Sequence, residues 1–244
     1  MFKKITRRLR NRNWSALLLD LIVVVFGILL AFQIDRAYES WQAHKAEQAY
    51  LQRLLNDLEN DILQYNVVIE RTDLRLQQIA LLNSVIQNPE VAKTNVTEFV
   101  RALERITWRN FPVIKGYTYN EMVTTGNTTL LRSEKLRENL SAYYSYLEDT
   151  ERLSFGENDQ DRFRDETIGI LSQNMLMFLE NEEKYPLEVS DDNAESMVRD
   201  FAGRTNAHPW LGRLAKYQVL MAARAEAFTE QALNLQKEIQ YSLR

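Results

Sequence analysis

The 244-residue chain has no cysteine, which excludes disulfides, thiolate metal sites and cysteine nucleophiles, and suits an oxidising space such as a periplasm without requiring one. It has only two histidines, His44 and His208, neither with a second ligand at metal-binding spacing. Seven glycines and four prolines leave few turns, and outside one apolar run Leu, Glu, Gln, Arg and Asn outnumber the β-formers, so the expected class is all-α. No G-x-S-x-G, P-loop, G-x-G-x-x-G or H-E-x-x-H motif occurs. Glu157, Asp159 and Asp161 imitate an EF-hand, but Arg162 and Ile168 stand where its glycine and last glutamate belong. The expectation is therefore a non-enzymatic protein with no catalytic residues, no metal site and no cofactor.

Acids are absent from the first 19 residues, whereas six cations, Lys3, Lys4, Arg7, Arg8, Arg10 and Arg12, crowd there. Behind them Trp14 to Ile34 (WSALLLDLIVVVFGILLAFQI) is apolar over the length of a bilayer and contains one carboxylate, Asp20. The run exceeds the roughly 7 to 15 apolar residues of a signal peptide, has no A-x-A-like site after it, and reads as a retained anchor. The positive-inside rule keeps the N-terminus in the cytoplasm and sends the rest across, giving a single-pass topology in a bacterial inner membrane with its bulk in the periplasm. Of the 30 Lys and Arg, 24 lie after Asn13 against 34 Asp and Glu, so that exterior is acidic and unsuited to nucleic acid.

Four segments result: a basic cytoplasmic tail at 1–13, a transmembrane helix at 14–34, a long helix at 35–88 continuing from the anchor, and the remainder of an extracytoplasmic helical bundle at 89–244. Between Asp35 and Asn88 no Gly or Pro intervenes, and a coiled-coil-like heptad seam runs through Leu51, Leu55, Leu58, Ile62, Tyr65, Ile69, Thr72, Leu76, Ile79, Asn83 and Ile86. Leu54, Val68 and Leu82 widen it towards the stripe of a bundle helix. This piece alone would reach ~80 Å before Pro89 ends it.

Thr94 or Asn95 can cap a helix over 96–106, 118–125 makes one or two turns closed by Gly126, and Ser133 caps a helix through Leu136, Leu140, Tyr143 and Leu147. The polar run 156–166 is expected to interrupt that stripe, with a break near Phe155 and Gly156, before it resumes at Ile168, Leu171, Met175 and Phe178. Residues 181–193 read as an acidic loop, 194–202 as a short helix, and Pro209 as the first turn of a last helix whose seam is Leu211, Leu214, Gln218, Met221, Ala225, Phe228, Ala232, Leu235 and Ile239. Together these pieces predict an antiparallel bundle of long helices on a membrane stalk, able to complete its core with a second copy.

Two stretches carry a resemblance. Asp20-Leu-Ile-Val-Val-Val-Phe-Gly27-Ile-Leu-Leu-Ala31-Phe-Gln33-Ile-Asp35, and Tyr119-Asn120-Glu121-Met122-Val123 with Gly126, Leu136-Arg137 and Tyr143-Tyr144, resemble a family of uncharacterised bacterial single-pass membrane proteins catalogued as a domain of unknown function. That family has an acidic "VVxGILxAxQI" anchor and a "YNELxxxG…LR…YY" stretch; its aromatic-rich exit is matched more loosely by Asp35 to Trp41. The resemblance implies membrane anchorage and helical content, and it supplies no activity.

Asp20 is the costly residue, since a charged Asp at the centre of a span costs ~3 kcal/mol on insertion scales. At 100° per residue Gly27, Ala31 and Tyr38 return to its face, and Gly27-x-x-x-Ala31 permits close approach of another helix. One reading makes Asp20 hydrogen-bonded glue in a homo-oligomer or with a membrane-protein partner; the other makes it a proton or ion carrier in a stator-like or channel subunit. Gln33 and Asp35 complete the candidates at the membrane. In the middle of the chain Tyr119, Asn120, Glu121, Gly126, Tyr143 and Tyr144 are read as a pocket or a structural corner. The expected function is an interaction, scaffold or sensor module held on the lipid bilayer.

Overall fold

A computed structural model describes the backbone over residues 14–152 and 157–244, and side chains over 18–145 and 158–244. Every regular element among them is helical. The expected basic tail and the expected break at Phe155 and Gly156 lie outside the described residues.

Helix α1, Trp14–Gln87, is continuous over 74 residues, ~110 Å, because the apolar run passes into the heptad region without a proline and with only Gly27 as a weak point. It stops where Pro89 cannot continue the hydrogen-bond ladder; Pro89 instead opens the single turn α2, Glu90–Lys93. Asn95 caps α3, Val96–Arg105, by accepting from the Glu98 amide at 3.2 Å. Then come α4, Tyr117–Thr125, a 3₁₀ turn at Asn127–Leu130, and α5, Glu134–Arg152, whose Leu136 amide donates to the Ser133 hydroxyl at 3.2 Å. The chain continues through α6, Glu157–Thr167, α7, Gln173–Glu180, α8, Asp191–Gly203, and α9, His208–Ser242, with Pro209 in its first turn.

The most extensive helix contact is between α1 and α9. Tyr65 stacks on Phe228 with ring centroids 5.6 Å apart, while Thr72 Oγ1 donates to the Gln218 carbonyl at 3.4 Å, so numbering rises along one helix as it falls along the other. All nine expected seam residues of α9 are buried.

On α1 the expected Leu51, Leu58, Tyr65, Thr72 and Ile79 are buried, as are Leu54, Val68 and Leu82, but the alternate members of the seam are displaced by one residue. The buried row is Glu47, Leu51, Leu54, Leu58, Asp61, Tyr65, Val68, Thr72, Arg75, Ile79 and Leu82, still spaced by alternate fours and threes. Leu55, Ile62, Ile69, Leu76 and Ile86 flank this row half-buried, and Asn83 is exposed. The helix is rotated so that the narrow row meets α9 directly and the neighbouring aliphatics cover its side. Apolarity alone favoured Ile62 over Asp61 and Leu76 over Arg75.

Three other expectations are corrected for local reasons. The polar run expected as an interruption is α6, which among its described side chains buries only Gln160 and Phe163 and is tied to α9 by Arg213, 2.9 Å from Asp159. The stripe expected to resume at Ile168 is cut at Gly169, whose φ of +84° ends the helix and leaves Ile168 72 % exposed, and it resumes only in α7, where Met175 and Phe178 are buried. The expected loop at 181–193 is also shorter, because the Ser190 hydroxyl accepts from the Asn193 amide at 3.4 Å and starts α8 three residues early.

Two apolar cores result. One joins Leu51 to Val68 of α1 with Met122, Leu136, Tyr143 and the α9 stretch Met221 to Ile239. The other joins Ile79 to Val85 with Phe99, Phe163, Phe201 and Leu211, nearer the far end of α1. A polar layer separates them: the Asn110 amide nitrogen donates to the Val68 carbonyl at 3.1 Å, to Thr72 Oγ1 at 3.1 Å and to Gln218 Oε1 at 3.2 Å.

Candidate functional site

From Leu18 to Ile34 every large apolar side chain of α1 is exposed, and Asp20 is the sole ionisable residue in that stretch. It lies in the helix that is long and apolar enough to cross a membrane. An all-round apolar helix of this length satisfies its own backbone and leaves nothing for water to solvate, which suits hydrocarbon. Asp20, Gly27 and Ala31 share one face, and a Cβ added at Gly27 would meet nothing within 4 Å. Gln33 lies on the opposite side and Asp35 about 60° from Asp20 by the same helical geometry. Beyond the apolar run, Tyr38 and Trp41 stack at 6.1 Å and Lys45 Nζ sits 4.0 Å from the Trp41 ring centre, an aromatic and cationic collar of the kind that suits a membrane surface.

The mid-chain residues, by contrast, pack along α1 between Tyr50 and Tyr65. Glu121 accepts from Tyr50 at 3.1 Å and pairs with Arg53; that guanidinium holds its carboxyl below the ordinary range. Asn120 Nδ2 donates to the Lys115 carbonyl at 3.3 Å, fastening the start of α4 to the loop before it. Tyr119 stacks on Tyr144 at 4.8 Å, and Tyr144 packs edge-on against Tyr143 at 4.9 Å. Gly126 closes α4 with φ of +74°. Gly116 opens it with φ of +50°, and a Cβ there would lie 2.8 Å from Tyr144 Cε1, so the loop can lie on the ring only if residue 116 is glycine.

Beside Tyr143 stands an acid outside the expected apolar seam. Asp61 occupies the buried row of α1 at 4 % exposure, where its Oδ2 accepts from the Tyr143 hydroxyl at 3.1 Å; that hydroxyl lies 3.0 Å from the Tyr65 hydroxyl. Among the described residues no cation lies within ion-pair distance of it. Burial pushes its carboxyl up to about 7; the Tyr143 hydrogen bond opposes that rise and neighbouring Asp57 adds to it. Burial likewise raises Tyr65, Tyr143 and Tyr144, so all three hydroxyls stay protonated. Asp57 accepts from the Thr118 amide at 2.8 Å, pinning α4 to α1. A cavity of about 270 Å³, open to solvent, reaches this place between Asp57, Asn60, Asp61, Lys115, Gly116 and Tyr117.

Two heptads along the same row, Arg75 is a second buried charge without a carboxylate. Its Nη2 donates to the Arg109 carbonyl at 3.2 Å, and burial lowers it to about 10. Both charges were discoverable from Leu54, Val68 and Leu82: halving their spacing of 14 to one heptad places Asp61 and Arg75 in the same row.

Neither the curated proteins nor the solved structures give a match to this chain. A family model does, over residues 20–166, which takes in Asp20, the exposed apolar stretch of α1, Asp61 and the whole corner from Tyr117 to Tyr144. By that match over more than half its length, the chain belongs to the family of unknown function DUF6090.

Proposed function

We propose that this protein is a single-pass, membrane-anchored helical module, with its basic N-terminus in the cytoplasm of a bacterium and its antiparallel bundle in the periplasm. It works without catalysis, as an interaction, scaffold or sensor element. The observation that carries this reading is the continuity of α1: one helix is exposed and apolar at Leu18 to Ile34 and, without a break, supplies the central row of the bundle from Glu47 to Leu82. A rigid connection of this kind couples what meets the bundle to what meets the bilayer.

Copies, or a membrane-protein partner, associate through the face of Asp20, Gly27 and Ala31, where the small residues permit close packing and the carboxyl, out of lipid, hydrogen-bonds across the contact. The test is the size of the full-length protein in detergent. Gly27→Leu and Asp20→Asn each shift it towards the monomer while leaving the helical content unchanged; unchanged association in both variants overturns the assignment of that face. What co-purifies with the untreated protein then gives the process it serves.

A second reading has one observation in its favour. Asp20 is the sole ionisable group in an otherwise apolar span, and such groups also carry protons or ions. In that case vesicles containing the protein leak protons or cations in a pH-dependent way, and Asp20→Asn alone abolishes the leak.

A further inference from the structure

We infer that Asp61 is a proton-operated latch: taking up a proton from solvent seats α5 and the corner from Gly116 to Gly126 on α1, and releasing it admits water and loosens that contact. This rests on the reading of the protein as a tethered sensor and names what it senses.

The geometry supplies three requirements. First, the carboxyl is in the packed row and not on the surface, so its charge state is felt by the helix contact itself. Second, the groups facing it do not neutralise it. On α1 these are Asp57, which is acidic and committed to the Thr118 amide, and Tyr65. On α5 they are Tyr143 and Tyr144, and on α4 Tyr117 and Tyr119. In the loop before α4, Lys115 lines the same cavity, but its Nζ lies 5.5 Å over the Tyr117 ring and forms no ion pair with Asp61. On α9, Phe228 stacks on Tyr65, and Arg224 lines with both of them a separate small cavity that Asp61 does not line. Third, the open cavity between Asp57 and Tyr117 gives protons a route from solvent.

When Asp61 is ionised, the hydroxyls align as Tyr65 to Tyr143 to Asp61, which stabilises the anion, but the charge stays largely desolvated. Opening the corner hydrates it. Neutralising the carboxyl removes the reason to open. The raised affinity of the closed form for a proton places the transition near neutral pH.

The test uses full-length protein in lipid vesicles. The carboxylic-acid carbonyl band is followed by infrared spectroscopy across pH, as a difference between the wild type and Asp61→Asn, and amide exchange, corrected for its intrinsic pH dependence, is followed alongside. The difference band is expected to titrate near neutrality. On the acidic side of that titration exchange at residues 57–65, 116–126 and 140–145 rises at least about tenfold and levels off above it, since each pH unit between the closed and open proton affinities is a tenfold change in opening. Asp61→Asn holds exchange at its low-pH level. Tyr143→Phe, which removes the one donor to the anion, moves the midpoint upward; this variant keeps the proposal falsifiable if Asp61→Asn fails to fold. Titration of the difference band among ordinary surface carboxylates, or exchange in these segments that does not follow pH, overturns it. Failure here leaves the membrane tether standing, whereas a wrong topology would leave the titration unchanged.

Discussion

Two stretches of one helix solve opposite solvent problems. Between Leu18 and Ile34, α1 turns apolar side chains outward on every side and carries a single acid; between Glu47 and Leu82 it turns Leu, Tyr, Val and Ile inward and keeps Asp61, Thr72 and Arg75 among them. If the first lies in hydrocarbon as proposed, any apolar residue is accepted at any azimuth, so only the exception, Asp20, carries information. In the second, water fixes the azimuth, and the charges inside are conspicuous because they could have been placed outside at almost no cost. The difference teaches that polar residues at odds with their surroundings, and not the apolar ones, locate what each stretch does.

Truncating apolar side chains separates the two stretches most sharply. Leu58→Ala, at a site with no exposure, is expected to lower unfolding stability by about 2–5 kcal/mol in denaturant titration. Leu29→Ala, in the exposed apolar run, leaves that transition unchanged. Equal effects would mean the span is packed inside the bundle.

Next comes pH. Asp61 binds its proton more tightly in the folded than in the unfolded chain, so its stabilising contribution is full below about pH 4, falls as pH rises, and is lost above about 7. Three pH units of difference correspond to about 4 kcal/mol at most. Denaturant midpoints between pH 5 and 8 should therefore decline in the wild type and stay level in Asp61→Asn. Glu121, Glu182 and Asp200 are held below their ordinary range by arginines, and they act in the opposite sense only at more acidic pH.

A smaller effect distinguishes two glycines. Gly116→Ala forces an L side chain into a left-handed conformation against Tyr144 and should cost about 1–3 kcal/mol in thermal unfolding. Gly27→Ala meets nothing nearby and should leave unfolding of the bundle unaltered. Smallest of all is Arg53→Gln, which removes a solvent-exposed partner of Glu121 and should leave the melting temperature within error.

The helical class, the end of α1 at Pro89, the Asn95 and Ser133 caps and the α9 seam were legible because each rests on local chemistry: proline geometry, a side-chain acceptor, or regular apolar spacing. The rotation of α1 was not. It depends on which face α9 and α5 cover, and a pattern containing Leu54 and Leu55, or Asp61 and Ile62, admits two adjacent rows. For the same reason Tyr119, Asn120, Glu121, Gly126, Tyr143 and Tyr144 could be singled out from sequence, while Asp61, which accepts from Tyr143, is marked only by the lesser row of Leu54, Val68 and Leu82. Helix α6 was hidden by its polarity, since only Gln160 and Phe163 face inward.

The central claim is that α1 crosses the bilayer and places the bundle on the opposite side from residues 1–13. Because the chain has no cysteine, a single introduced one reports unambiguously. With a membrane-impermeant maleimide on intact spheroplasts, Tyr241→Cys, 80 % exposed on α9, is expected to react at once, and Asn11→Cys only after the membrane is opened. Labelling of both from the same side before the membrane is opened would contradict the account.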